Sequence, residues 1–182
     1  MFGLFIIESI VIQLLGTFWF ITDPRTVQTR INFIIKKSFH AVYYPIIFVL
    51  QLIVLKNFPK LLLPGVVVVQ IIGVVVFILG VTLAIWAKIT MRQSWGVPAQ
   101  HDIKRQSTLI IEGPFRYTRN PIYMAIFLFG FGYFISLRSY LIFTMIIPLL
   151  YFKNAVYKEE KLLERYFIDD YKRYKKTVRR WL

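Results

Sequence analysis

Five apolar runs divide this chain, at residues 4–22, 39–55, 64–90, 122–135 and 140–152. A helix needs about 20 residues to cross the hydrocarbon core of a bilayer. Within lipid the backbone must satisfy its own hydrogen bonds, so such runs fold as helices. The first three runs meet or nearly meet that length, and the third has residues to spare for tilt or projection. The last two are short and separated only by Ser136-Leu137-Arg138-Ser139. That spacing predicts a tight helical hairpin whose ends extend into polar sequence. Hydrophobic residues make up 57% of the chain, against roughly 45–50% in soluble domains, and the excess sits in the blocks. The expectation is an all-α integral membrane protein in one domain, residues 1–182. It has five transmembrane helices, a short C-terminal helical hairpin and a cytoplasmic amphipathic tail helix.

Charge sets the orientation. Arg25, Arg30, Lys36 and Lys37 lie between the first two runs. Arg92, Lys104, Arg105, Arg116 and Arg119 lie between the third and fourth, and the tail after residue 152 is dense in Lys and Arg. The other side holds only Lys56, Lys60 and Arg138. Basic loops stay cytoplasmic, which predicts an outside N-terminus and an inside C-terminus; the expected location is a bacterial or archaeal plasma membrane. The net charge of +14 then reads as attraction to an anionic leaflet rather than to nucleic acid. Met1-Phe2-Gly3-Leu4 lacks a basic leader region, so the first run is read as a retained helix. The absence of Cys excludes disulfides and thiolate sites, and two histidines, His40 and His101, argue against a metal centre. Gly73, Gly80, Gly130 and Gly132 would let helices approach closely. Glu8 is expected to reach water at the outer end of the first span, and Lys88 to snorkel inward.

Two polar clusters carry candidate chemistry. The first is Gly113-Pro114-Phe115-Arg116-Tyr117-Thr118-Arg119-Asn120-Pro121-Ile122-Tyr123, directly before the fourth run. Pro121 suits a first helical position. The helix start there offers free N–H groups and a partial positive charge, with Arg116 and Arg119 beside it, a combination fit for a carboxylate or phosphate. The alternative is that both arginines only anchor a membrane boundary. The second cluster is Glu159-Glu160, about two turns beyond the fifth run. Neighbours on a helix point about 100° apart, so one carboxylate is expected inward and one toward solvent. An inward carboxylate needs a cation. Lys161 or Arg165 could supply it, and so could a bound sulfonium or ammonium group. In the tail, apolar positions from Leu162 to Trp181 recur at three- and four-residue steps, which predicts an amphipathic helix broken near Ile168-Asp169-Asp170.

The order Gly-Pro-Phe-Arg-Tyr-x-Arg-Asn-Pro-x-Tyr, a short hairpin, then Glu-Glu-x-x-Leu-x-x-x-Phe-x-x-x-Tyr-x-x-Tyr-x-x-x-Val resembles the isoprenylcysteine carboxyl methyltransferase family, which overlaps the phospholipid methyltransferases. The resemblance covers roughly residues 64–182, and residues 1–63, with two spans, carry no signature. It implies a helical membrane fold with a cytoplasmic pocket for S-adenosylmethionine. It places Leu109, Ile110, Phe115, Arg119, Asn120, Pro121, Tyr123, Glu159 and Glu160 at the cofactor, and it makes Arg119, Glu159 and Glu160 the candidate catalytic residues. Phe115, Tyr117 and Tyr123 could stack on adenine or face the sulfonium. The arginines suit the methionyl carboxylate. The implied reaction is methyl transfer to a lipophilic, isoprenoid or lipid-like acceptor that enters from the membrane. An amine acceptor would need a base, Glu159 or Glu160, whereas a carboxylate acceptor needs none.

Three positions depart from the family pattern. Asn120 stands where eukaryotic members have His, Ile168 replaces a Gly usual after the tail Phe, and Ala155 lies where eukaryotic members have a substrate-binding Arg. Two further readings stay open. One is a nicotinamide-dependent reductase like the sterol reductases, and the other is a non-catalytic membrane relative.

Overall fold

The computed structural model describes residues 2–23, 28, 39–57, 67–92 and 108–181. Its elements are helices: α1 (Phe2–Ile21), α2 (Phe39–Asn57), α3 (Val67–Met91), α4 (Pro121–Ser136), α5 (Ile146–Tyr166) and α6 (Ile168–Thr177). Short 3₁₀ turns, Gly113–Arg116 and Tyr140–Met145, lead into α4 and α5. α1, α3 and the stretch Tyr140–Tyr166 are long and apolar enough to cross a membrane, and Pro45–Asn57 and Pro121–Ser136 are shorter apolar helices. Ile7, Ile10 and Leu14 on α1 and Val68, Ile71, Ile72, Ile78 and Leu79 on α3 are exposed. Apolar side chains facing outward on several turns suit contact with lipid tails, where they need no cover from protein.

The chain forms two compact units, Met1–Val76 with Phe131–Phe143, and Phe77–Gly130 with Thr144–Leu182. In the first, Phe5 packs on Phe48 at 5.0 Å and near Tyr133 at 6.5 Å between ring centroids. Glu8 is buried rather than reaching water. The reason is a hydrogen bond: the Ser136 hydroxyl donates to its Oε2 at 2.7 Å. Gly73 lies so close to the Ser136 backbone that a Cβ there would overlap it. After α4 the chain turns through Arg138, whose φ of +51° is left-handed. The Ser139 N–H reaches the Phe134 carbonyl at 2.9 Å and the Arg138 N–H reaches that of Ile135 at 3.0 Å. This paired closure ends α4.

In the second unit Gly80 meets the Phe129 backbone in the same way, and a Cβ on Gly130 would press on the Met145 side chain. Lys88 is buried instead of snorkelling. α5 runs on to Tyr166, so both glutamates sit on the same helix as the last apolar run. The break in the tail falls one residue before the expected stretch, at Phe167, whose N–H bonds the Leu163 carbonyl at 2.9 Å. α6 then carries Asp169 and Asp170 in its first turn and Lys175 and Lys176 in its last, the arrangement that complements a helix dipole.

Candidate functional site

The site is built on the second unit, from the approach to α4 upward. Gly113 has φ +55° and sits under α3, where a Cβ would come 2.6 Å from Thr90 Oγ1 and 3.3 Å from Trp86 Nε1. Only glycine meets both demands at low cost. The turn delivers Phe115 into the interior, and the Tyr174 hydroxyl of α6 donates to the Phe115 carbonyl at 2.6 Å. Burial pushes the Tyr174 phenol above its ordinary range, with Arg119 opposing the shift. Pro121 opens α4 as expected.

The tail beyond α6 closes on this approach. The Arg119 N–H donates to the Arg179 carbonyl at 3.0 Å. The Arg180 carbonyl accepts from Thr118 Oγ1 at 2.9 Å and from the Asn120 side-chain amide at 3.3 Å. Trp181 meets Phe127 edge to face at 6.4 Å. The Arg119 N–H and the Thr118 and Asn120 side chains, just before α4, thereby find acceptors in the chain's own tail.

Glu160 is the centre of the polar network. It is 4% exposed. Arg180 grips it with Nε at 3.1 and 3.2 Å from its two oxygens and Nη2 at 2.7 Å from Oε2. The Asn120 amide donates to Oε1 at 3.2 Å, and Arg119 Nη2 stands 3.4 Å from the same oxygen. The hydrogen bonds that Arg180 donates to Glu160 hold its guanidinium above its ordinary range. The cations that answer the buried carboxylate are thus Arg180 and Arg119, and not Lys161 or Arg165. Lys161 instead lies over the Tyr157 ring.

Glu159 turns to a different environment. Its Oε2 accepts from the Tyr123 hydroxyl at 2.6 Å. The expected division of one inward and one solvent-facing carboxylate is met only in part: Glu160 is buried, and Glu159 is half-buried and bonded to Tyr123. Tyr123 of α4 meets Glu159, and Asn120, just before α4, meets Glu160.

Between these groups lies a cavity of about 40 Å³. Its polar lining is Arg119, Asn120 and Glu159, with Tyr123 and Tyr174 beside them. Leu109, Ile110, Phe115, Pro121, Ile122, Leu163 and Met91 complete it. That volume is room for a few waters, so it would take one end of a larger ligand. Eight of the nine residues expected at a cofactor line this one recess, and Glu160 does not. Arg116 and Tyr117 are exposed and outside it. Tyr117 lies near the Trp86 ring instead. Met91, Ile122, Leu163 and Tyr174 were not foreseen as site residues. Leu163 is one turn beyond Glu159, a spacing that could have disclosed it. Arg180 had no signal among the many basic residues of the tail. Trp95 and His101 lie outside the described residues, and among those described no cluster of His, Cys, Asp and Glu could hold a metal.

One feature bears on a ligand. Arg119 Nε and Nη1 are buried and have no hydrogen-bond partner among the described residues. Buried guanidinium donors are costly to leave unmet. A carboxylate is the chemistry that would satisfy them, and Arg119 is one of the residues that line the recess.

The sequence model of the phospholipid methyltransferase family matches residues 68–170, more than half of the chain. No curated protein matches this chain. Among solved structures it is similar to a eukaryotic intramembrane Ras methyltransferase, isoprenylcysteine carboxyl methyltransferase, with a TM-score of 0.65 and 26% identity. The match covers 78% of this chain and 52% of that one, so this chain spans about half the length of the solved enzyme. The matched residues hold both halves of the recess, the start of α4 and the glutamates of α5. The chain is an all-α integral membrane protein that belongs to the phospholipid methyltransferase family, with a fold like that of isoprenylcysteine carboxyl methyltransferase.

Proposed function

We propose that this protein is a methyltransferase that uses S-adenosylmethionine to methylate a lipophilic, isoprenoid or lipid-like acceptor at the cytoplasmic face of the membrane. The observation that carries the reading is Arg119, which lines a recess walled by Glu159 and aromatic rings and whose buried Nε and Nη1 have no partner among the described residues. Those residue types fit the charged end of the cofactor: a guanidinium for its carboxylate, a carboxylate for its ammonium group, and rings for a sulfonium or a base. When bound, the cofactor would supply the activated methyl group and its own leaving group.

The chain's part is to hold and to orient. Alignment of donor and acceptor can supply about 7–11 kcal/mol of a barrier. Arg119 serves as the anion anchor. Glu159 is oriented by the Tyr123 hydroxyl, which occupies one of its oxygens. In this reading it pairs with the ammonium group of the cofactor or, with an amine acceptor, takes up the acceptor's proton. Glu160 acts through the arginines, as a fixed counter-charge. In this reading the five apolar helices all cross the membrane. The N-terminus is outside, and the basic tail and the recess are inside. A soluble cofactor then enters from the cytoplasm and the acceptor from the bilayer.

The test is equilibrium binding of labelled S-adenosylmethionine to the purified protein in detergent, with NADPH as competitor. The expected result is saturable binding that NADPH leaves intact and that Arg119→Ala weakens by tenfold or more, roughly the loss of one charged hydrogen bond. Displacement by NADPH would favour a reductase, and binding of neither would favour a non-catalytic relative. With binding in place, transfer of labelled methyl groups into the organic extract of membranes identifies the acceptor class.

A further inference from the structure

Beside the recess two arginines meet one carboxylate, and they share it unequally. Arg180 takes both oxygens of Glu160 with three short contacts, at 2.7–3.2 Å. Arg119 has a single contact with Oε1, at 3.4 Å, through Nη2 alone. The more exposed arginine has the stronger grip: the Arg180 side chain is 44% exposed and that of Arg119 7%. Desolvation would favour the opposite sharing, since the buried guanidinium gains more from a full fork than one that can turn to water. What holds the observed state is the main chain of the tail. The Arg180 carbonyl is fixed by Thr118 and Asn120, and the Arg179 carbonyl by the Arg119 N–H. Asn120 also steadies Glu160 Oε1 directly.

The consequence falls on the recess. While Arg180 occupies Glu160, Nε and Nη1 of Arg119 stay unmet. Were Arg180 absent, a small rotation of Glu160 would let it fork onto Arg119 through Nη2 and one of those two donors. We propose that Arg180 is a positioning residue which, by capturing Glu160, keeps Arg119 open to a ligand carboxylate. The tail of the chain is then part of the binding machinery without touching the ligand. This rests on the reading of the recess as the S-adenosylmethionine site.

The test compares labelled S-adenosylmethionine binding by wild type, Arg180→Ala, Arg180→Lys and the double variant Arg180→Ala with Glu160→Gln. Arg180→Ala should bind roughly tenfold to a hundredfold more weakly, the range of one charged hydrogen bond. Arg180→Lys, a point charge without the fork, should fall between, and it serves if the alanine variant is poorly folded. The double variant should regain most of the lost affinity, because a neutral amide in place of the Glu160 carboxylate no longer sequesters Arg119, although its melting temperature should fall further. A purely structural role for Arg180 predicts affinity and melting temperature falling together, with no regain. Unchanged binding in Arg180→Ala, or a double variant no better than the single, overturns the proposal. If wild type itself fails to bind, the cofactor reading falls, and a solved structure of Arg180→Ala decides the inference alone. A two-point Glu160–Arg119 fork upholds it, and an unchanged single contact refutes it.

Discussion

Truncating Glu160 should cost more stability than truncating any other acidic residue of the tail. Glu160→Ala leaves the Arg119 guanidinium, 7% exposed, with no carboxylate. Removing one partner of a buried pair costs about 3–5 kcal/mol. The lower end applies here, because Arg180 can turn to water and Asn120 keeps the Arg180 carbonyl as an acceptor. A loss of about 3 kcal/mol lowers the midpoint of a domain this size by roughly 6–12 °C. Glu160→Gln keeps the shape and one acceptor and loses the charge, so its loss should be smaller, about 1.5–3 kcal/mol. Glu164→Ala is the internal control. Its partner Lys175 and Glu164 itself are both more than a third exposed, and a pair of that kind contributes about 0–1 kcal/mol. The assay is thermal unfolding followed by circular dichroism in one detergent, with all three variants alongside wild type. A Glu160→Ala midpoint within about 2 °C of the Glu164→Ala midpoint would mean that the carboxylate is not holding two guanidinium groups.

Other outcomes follow from the same contacts. Gly80→Ala should cut the yield of folded protein sharply, because its Cβ would overlap the Phe129 backbone, whereas Gly16→Ala, with nothing near it, should be tolerated; size-exclusion profiles compare the two. Tyr123→Phe withdraws the hydroxyl from Glu159 Oε2. It should cost about 1–3 kcal/mol, seen as a lower unfolding midpoint, and an unchanged midpoint would argue that the bond adds nothing. Docking of α6 should respond to alkali through Tyr174. The folded phenol sits above its ordinary value because it is buried. Its contribution is therefore complete below the unfolded value of about 10 and declines as pH rises beyond it. Unfolding midpoints taken on either side of that pH should show a steeper fall for wild type than for Tyr174→Phe.

Much of the architecture was legible because lipid leaves a chain few options. Long apolar runs, the hairpin punctuated at Ser136–Ser139, Pro121 at a helix start and the amphipathic tail each follow from local pattern and backbone hydrogen bonding. The residues of the recess were legible for another reason: a Gly-Pro turn, two arginines and a paired glutamate form a motif that stands out against apolar sequence. What local pattern could not supply was the partner of each charge. Glu8 was expected in water and is held by Ser136, 128 residues away. Glu159 and Glu160 were expected to face inward and outward, and Tyr123 of α4 and Asn120 just before it reach one each. Arg180 was one basic residue among many until the fold set it on Glu160. A side chain's partner depends on which distant segments share a few ångströms of low-dielectric space, and burial decides how much an unmet group costs. The sequence alone determined that this is a helical membrane chain with a polar site at the start of its fourth apolar run. Only the tertiary structure decided that the tail closes that site, and that Arg119 is left with donors to offer.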